Sequence, residues 1–309
     1  RYRGQGRRGF RENTRAEYRR LIANYARPYF PARLKLIDVS THTLARFVDW
    51  LADEEAQGRR LADRTLANAV VPLRAALATA KREGLIRHNP AQGLALPPGR
   101  PRDGEEIKVL SPEQLATVLR LAPERHRLLL ELLAATGLRI SEAIALQRLH
   151  VQLDGSEPEV CVRRALVRGR IEPPKTRYGR REVRLPDSLA ARLGAHIAAH
   201  PDQDSTALLF PNEVGAPLDP ANLRPRVLKP LVRQAGAPWA GFHTFRHTFA
   251  SLHLSRGTNL LQLSRALGHH SAAFTLSRYT HLLPGEGAAA LDLPSAVPSA
   301  PAPSMRSAA

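Results

Sequence analysis

Apolar residues recur at helical spacing over residues 14–25 and again over 40–57, where Thr43, Leu44, Phe47, Val48 and Leu51 form one stripe. A third helical pattern begins at Asp63 and runs through Pro72 to Glu83. Gly84 stops it, and Leu85-Ile86-Arg87-His88-Asn89-Pro90 reads as a turn. Residues 11–90 are therefore expected to form a compact bundle of about four helices, basic on its outer faces. Residues 95–106, rich in Pro and Gly, have the composition of a linker. Beyond them Ser111 is placed to cap a helix, with Pro112 at its first position and Glu113 and Gln114 in its first turn. The next helix, over about Arg125–Thr136, is stopped by Gly137, and another starts at about Arg139.

Between Glu157 and Pro186 the period changes from helical to alternating. Val160, Val162, Ile171, Val183 and Leu185 are separated by polar or charged residues. This predicts a small antiparallel sheet of three strands, with Lys175 near a turn between the last two. Helices resume from Ser188. Past Leu283 the chain is rich in Pro, Ala and Ser, which predicts disorder. The fold class expected is mainly α with a small antiparallel β-sheet. Its parts are a flexible basic segment over 1–10, a helical domain over 11–94, a linker over 95–107, an α+β domain over 108–285, and a disordered tail over 286–309.

Charge narrows the choice of partner. The net charge is +18, with 20 Lys and Arg against 9 Asp and Glu in residues 1–100 and 26 against 19 beyond. Such a surplus points to a polyanion, because cations that meet phosphates release counterions. No apolar run approaches the roughly 18 residues of a spanning helix, so a membrane partner is not expected. The chain opens on Arg1 without a secretory pattern, which predicts a start inside a longer natural protein. The one cysteine, Cys161, lies in an alternating stretch and is expected to be a buried strand residue. No intrachain disulfide can form, which suits a reducing, cytoplasmic compartment.

The candidate chemistry lies mostly near the C-terminus. Gly241-Phe242-His243-Thr244-Phe245-Arg246-His247-Thr248 is followed by Leu267-Gly268-His269-His270-Ser271 and then by Ser277-Arg278-Tyr279-Thr280-His281-Leu282. Upstream, Thr136-Gly137-Leu138-Arg139-Ile140-Ser141-Glu142 supplies Arg139 and Pro173-Pro174-Lys175-Thr176-Arg177 supplies Lys175. Two guanidiniums stabilise the extra charge on the non-bridging oxygens of a phosphodiester under attack. Arg139 and Arg246 are the natural pair. His243 and Arg246, three apart, share a helix face, and His243 could exchange protons with an attacking phenol. A tyrosine with a reference pKa of about 10 needs nearby cations and a proton acceptor to react at neutral pH. Metal-dependent cleavage would need clustered carboxylates, which these motifs lack. His269, His270 and His281 come without the partners of a zinc site. No Gly-rich phosphate loop is present, so neither a metal nor another cofactor is expected.

In order and local wording these motifs resemble the tyrosine recombinase (phage integrase) family, over about residues 11–285. The resemblance implies an N-terminal helical core-binding domain and a catalytic domain that together clamp DNA. It implies that Tyr279 is a nucleophile forming a 3′-phosphotyrosyl bond, with the strands resealed without ATP or metal. Arg139 and Arg246 then resemble the phosphate-binding arginines, Lys175 the hairpin lysine that protonates the leaving oxygen, and His243 the first histidine. His269 resembles the position that is histidine or tryptophan in the family, although His270 also stands at a spacing the family uses. Glu142 resembles a partner that steadies the Arg139 helix. The implied partners are double-stranded DNA target sites and sister protomers in a tetramer, with an accessory DNA-bending protein also compatible. A nucleoid-associated, cytoplasmic location follows. Two alternatives use the same residues: a type IB topoisomerase-like nicking and resealing enzyme, and a non-catalytic DNA-binding relative.

Overall fold

The computed structural model describes residues 12–58, 60–97, 107–155, 157–174, 176–199 and 204–279. The expectations for residues 1–10, for most of the linker, for Lys175 and for the tail lie outside these described residues. The chain divides into two compact units, Arg1–Glu105 and Glu106–Ala309.

The first unit is helical: α1 (Glu12–Leu21), α2 (Arg27–Tyr29), α3 (Thr41–Ala52), α4 (Glu54–Gln57) and α5 (Asp63–Arg82). The stripe on α3 is buried as its spacing requires, with Leu44, Phe47, Val48 and Leu51 packed with Leu66, Ala69, Val70 and Leu77 of α5. Thr43 takes a different part, because its backbone N–H and hydroxyl meet the Ser40 side chain that caps α3. Tyr29, Phe30, Phe47 and Trp50 add a cluster of rings with centroids 4.9–6.1 Å apart. The first helical stretch continues past Tyr25 through a π turn at Ile22–Ala26. Pro28 stands two residues further on. A proline ring clashes with the carbonyl four residues back and offers no N–H, and a widened turn relieves both problems. The same device recurs in the second unit, where a π turn at Arg224–Leu228 precedes Pro230.

The second unit begins with α6 (Pro112–Leu121) and α7 (Glu124–Thr136). Ser111 caps α6 in a full capping box: its hydroxyl accepts from the Gln114 N–H at 3.2 Å, and the Gln114 side chain accepts from the Ser111 N–H at 3.0 Å. Gly137 ends α7 in the left-handed region at φ 62°, and α8 (Ile140–Ala143) follows at once. Then come β1 (Val151–Gln152), β2 (Glu159–Val162), β3 (Ala165–Val167), β4 (Arg170–Glu172) and β5 (Arg181–Arg184). Six helices complete the order among the described residues: α9 (Asp187–Ala198), α10 (Pro220–Leu223), α11 (Lys229–Gln234), α12 (Phe242–Ser255), α13 (Leu260–Leu267) and α14 (Ala272–Tyr279).

The antiparallel sheet has three strands in the order β1-β2-β5, with Val160 opposite Val183 and Val162 opposite Arg181. Its membership differs from the expectation. Val151–Gln152, upstream of the alternating stretch, supplies the third strand. Ile171 belongs instead to a separate β3–β4 hairpin, where it pairs with Leu166. The two residues joining β3 and β4, Arg168 and Gly169, both have positive φ, the geometry that closes a tight hairpin. Cys161 is buried on β2, as its alternating context predicts. Among the described residues no helix is long and apolar enough to cross a membrane.

Candidate active site

Local geometry sets each site residue. Arg139 is the last extended residue before α8, and its backbone N–H donates to Glu142 Oε2 at 2.9 Å. Its guanidinium donates to Glu142 Oε1 at 2.8 Å. The other side of that carboxylate receives Arg181 from β5, at 2.8 Å from Nη2 and 3.3 Å from Nη1. Burial alone would raise the pKa of Glu142. The charges of Arg181 and Arg139 win and hold it at about 2. A carboxylate shared by two guanidiniums thus joins the sheet to the helix that presents Arg139.

Arg246 lies in the first turns of α12 and is 1% exposed. Its Nη1 donates to the Gly137 carbonyl at 2.9 Å and its Nη2 donates to the Leu267 carbonyl. One planar side chain therefore ties together the ends of α7, α12 and α13. Burial first, then the neighbouring Arg139 and Arg181, lower its pKa to about 9, so it remains charged at neutral pH. Phe245 and Phe249 anchor the helix in apolar surroundings. Gly137 permits the close approach. A Cβ there would sit 2.6 Å from Phe249 Cδ1, on a backbone with φ 62°. Gly137→Ala is therefore expected to cost about 2–4 kcal/mol through backbone strain and overpacking. A urea-unfolding midpoint equal to the wild type would contradict this.

Tyr279 ends α14 and is 1% exposed. Its hydroxyl lies 2.8 Å from Nδ1 of His247, a residue that sequence reasoning passed over. His247 follows His243 by four positions, the spacing of one helix face, and that signal could have found it. The ring of His243, exposed at the rim, meets the ring of His247 edge-on at 4.8 Å. The expected balance on the phenol is altered. Arg246, Arg278 and Arg139 do favour the phenolate, but burial outweighs them and the pKa of Tyr279 is raised.

His269 follows the left-handed Gly268, and its Nδ1 lies 2.8 Å from the Thr275 hydroxyl of α14. Its pKa is lowered to about 3, by burial first and then by Arg246, Arg139 and Arg181. His270 instead is exposed, with its ring against Phe274. The structure thus brings Arg139, Arg246, His243, His269 and Tyr279 into one electrostatic neighbourhood, together with Arg181, Arg278 and His247. Arg181 opens β5, six residues beyond Lys175 in the sequence. It is buried, because it occupies an inward position of β5 in step with Val183.

Two half-buried histidines carry a consequence for stability. Burial and neighbouring cations depress His247 to about 4 and His269 to about 3, against about 6.5 in an unfolded chain. Above pH 6.5 both states are neutral and this stability is fully present. As pH falls from 6.5 toward 4, the unfolded chain gains protons that the native one does not, and stability declines. The urea midpoint should hold between pH 7 and 8 and drop by pH 4.5, with a shallower drop in His269→Phe. An unchanged slope in that variant would rule His269 out as a source.

Among the described residues one group offers clustered metal-ligand atoms, Glu159, Cys161 and Glu182 on β2 and β5. It shares no residue with the site, and Arg163 already pairs with Glu182.

Two family models match the chain: the phage integrase family over residues 108–286 and the phage integrase SAM-like domain over residues 4–95. The chain belongs to the phage integrase family. It is a tyrosine recombinase, an enzyme of the DNA strand transferase class. A tyrosine recombinase XerC of Azotobacter vinelandii is 30% identical over 267 residues, covering 81% of this chain and 83% of the relative. A putative prophage phiRv2 integrase of Mycobacterium tuberculosis is 29% identical, covering 90% of this chain and 72% of its own length. In fold, the tyrosine recombinase resembles the Tn1549 transposon integrase solved with transposon right end DNA, at TM-score 0.69 and 23% identity, covering 89% of this chain and 90% of that one.

Proposed function

We propose that this enzyme recombines DNA at specific sites by cutting and rejoining strands through a 3′-phosphotyrosyl bond to Tyr279. The observation that carries the reading is the buried phenol, held against an imidazole and acted on by Arg139, Arg246 and Arg278. Arg139 and Arg246 bind the scissile phosphate and stabilise the charge that grows as phosphorus becomes five-coordinate. Arg246 is fixed by two carbonyls before substrate arrives, and Arg139 is fixed by Glu142, so little reorganisation is needed at the moment of reaction. His243 and His269 donate hydrogen bonds to the phosphate. The resemblance assigns Lys175 to protonate the leaving 5′-oxygen.

The helical domain over 11–94 and the catalytic domain over 108–285 would grip duplex DNA, in keeping with the basic surplus. Assembly of four protomers on two sites, with or without a bending protein, and a nucleoid location in the cytoplasm complete the proposal. The test uses randomised duplexes nicked beside the cleavage position, so that the short fragment released with a free 5′-hydroxyl diffuses away after attack. A denaturant-resistant protein–DNA adduct is expected, and the trapped pool should converge on one sequence. An adduct mapped by mass spectrometry to another side chain would overturn the assignment.

A further inference from the structure

We infer that His247 accepts the phenolic proton of Tyr279 as that oxygen attacks phosphorus. This rests on the reading of Tyr279 as nucleophile and goes beyond it, because the motif-matched histidines are His243 and His269. Three observations carry it. Nδ1 of His247 stands 2.8 Å from the hydroxyl, within direct transfer distance. The imidazole is held on its other side by the His243 ring, at 4.8 Å between centroids. The nucleophile helix is fixed one turn earlier as well, since the Thr275 hydroxyl meets Nδ1 of His269 at 2.8 Å. Thr275 and Tyr279, four apart and both buried, present two hydroxyls to two histidines. A phenol is a stronger acid than a neutral imidazole N–H, so the bond at Tyr279 is O–H donating to N. Burial, the neighbouring His243 ring and the charges of Arg246 and Arg278 keep His247 neutral, the form that accepts.

The step balances. The bond from the Tyr279 oxygen to phosphorus forms as the phosphorus–5′-oxygen bond breaks. The phenolic proton passes to His247, and the departing 5′-oxygen takes one from Lys175. On rejoining, an incoming 5′-hydroxyl gives its proton to the lysine amine and bonds to phosphorus. The phosphotyrosyl bond then breaks, and the imidazolium returns its proton to the phenolate.

The decisive variant is His247→Asn, whose amide oxygen can occupy the place of Nδ1 and still accept a hydrogen bond but cannot carry the proton away. Single-turnover adduct formation on the trapped duplex should slow about 10²-fold at pH 7, with salt-sensitive DNA binding retained. The deficit should shrink as pH rises from 6 to 9, close to tenfold per unit, because hydroxide then supplies the phenolate. The groups facing His247 that could distort this profile are His243 and Arg246 on its own helix and Arg278 and Tyr279 on α14. A rate within about threefold of wild type, or a deficit equal at every pH, overturns the inference and leaves His247 a mere anchor for α14. Tyr279→Phe run in parallel separates the two claims: an adduct in that variant sinks the nucleophile itself, whatever His247→Asn does. Should the Asn variant fail to fold, ¹⁵N spectra of the wild-type histidines decide. They should show His247 unprotonated at Nδ1 with a shift that moves in Tyr279→Phe, and a protonated Nδ1 refutes the proposal.

Discussion

Tyr279→Phe is expected to abolish the covalent DNA adduct completely while leaving salt-sensitive DNA binding intact. The change removes one oxygen from a side chain that is 1% exposed and part of the apolar cluster with Phe249, Ala250, Leu254, Leu263 and Leu267. The ring still fills its place, so packing is retained. What is lost is the atom that would bond to phosphorus and its hydrogen bond to His247. Removing both partners' contact this way should cost about 1–2 kcal/mol of stability, since the imidazole nitrogen is left without its donor. A gel after denaturation measures the adduct, and a salt titration of binding measures the electrostatic grip. If the Phe variant still becomes linked to DNA, Tyr279 is not the nucleophile.

The second large effect is expected at Arg246. Arg246→Ala should depress single-turnover adduct formation by about 10²-fold or more. Arg246→Lys should rescue little of it. A lysine offers a point charge without the planar fork, and the native fork must reach the Gly137 and Leu267 carbonyls and still face a phosphate. Measured on the trapped duplex, a rate within threefold of wild type in either variant would remove Arg246 from the site.

Much of this molecule was readable from its sequence because the signals were local. Ser111-Pro112 and Gly137 announce helix boundaries through backbone chemistry that needs no tertiary partner. The α3 stripe buries the apolar residues that its spacing names. The parts that escaped depend on distant partners. Two-residue Val151–Gln152 is a strand only because β2 lies beside it. Ile171 alternates like its neighbours, yet the turn at Arg168-Gly169 commits it to a hairpin of its own. Arg181 looks like any basic hairpin residue until its inward register brings it to Glu142. His247 stands directly after Arg246 in the sequence, but its value appears only when α14 folds back onto α12.

The uneven ratio of cations to carboxylates around Glu142 has a thermodynamic corollary. Arg139, Arg181, Arg246 and Arg278 crowd one neighbourhood in which, among the described residues, Glu142 is the acidic side chain that answers them. A fold that keeps such groups together in advance of its substrate stores repulsion, and a bound phosphodiester discharges it. The protein should therefore melt at a higher temperature with DNA than without, by more than the contact area of the phosphate alone would suggest.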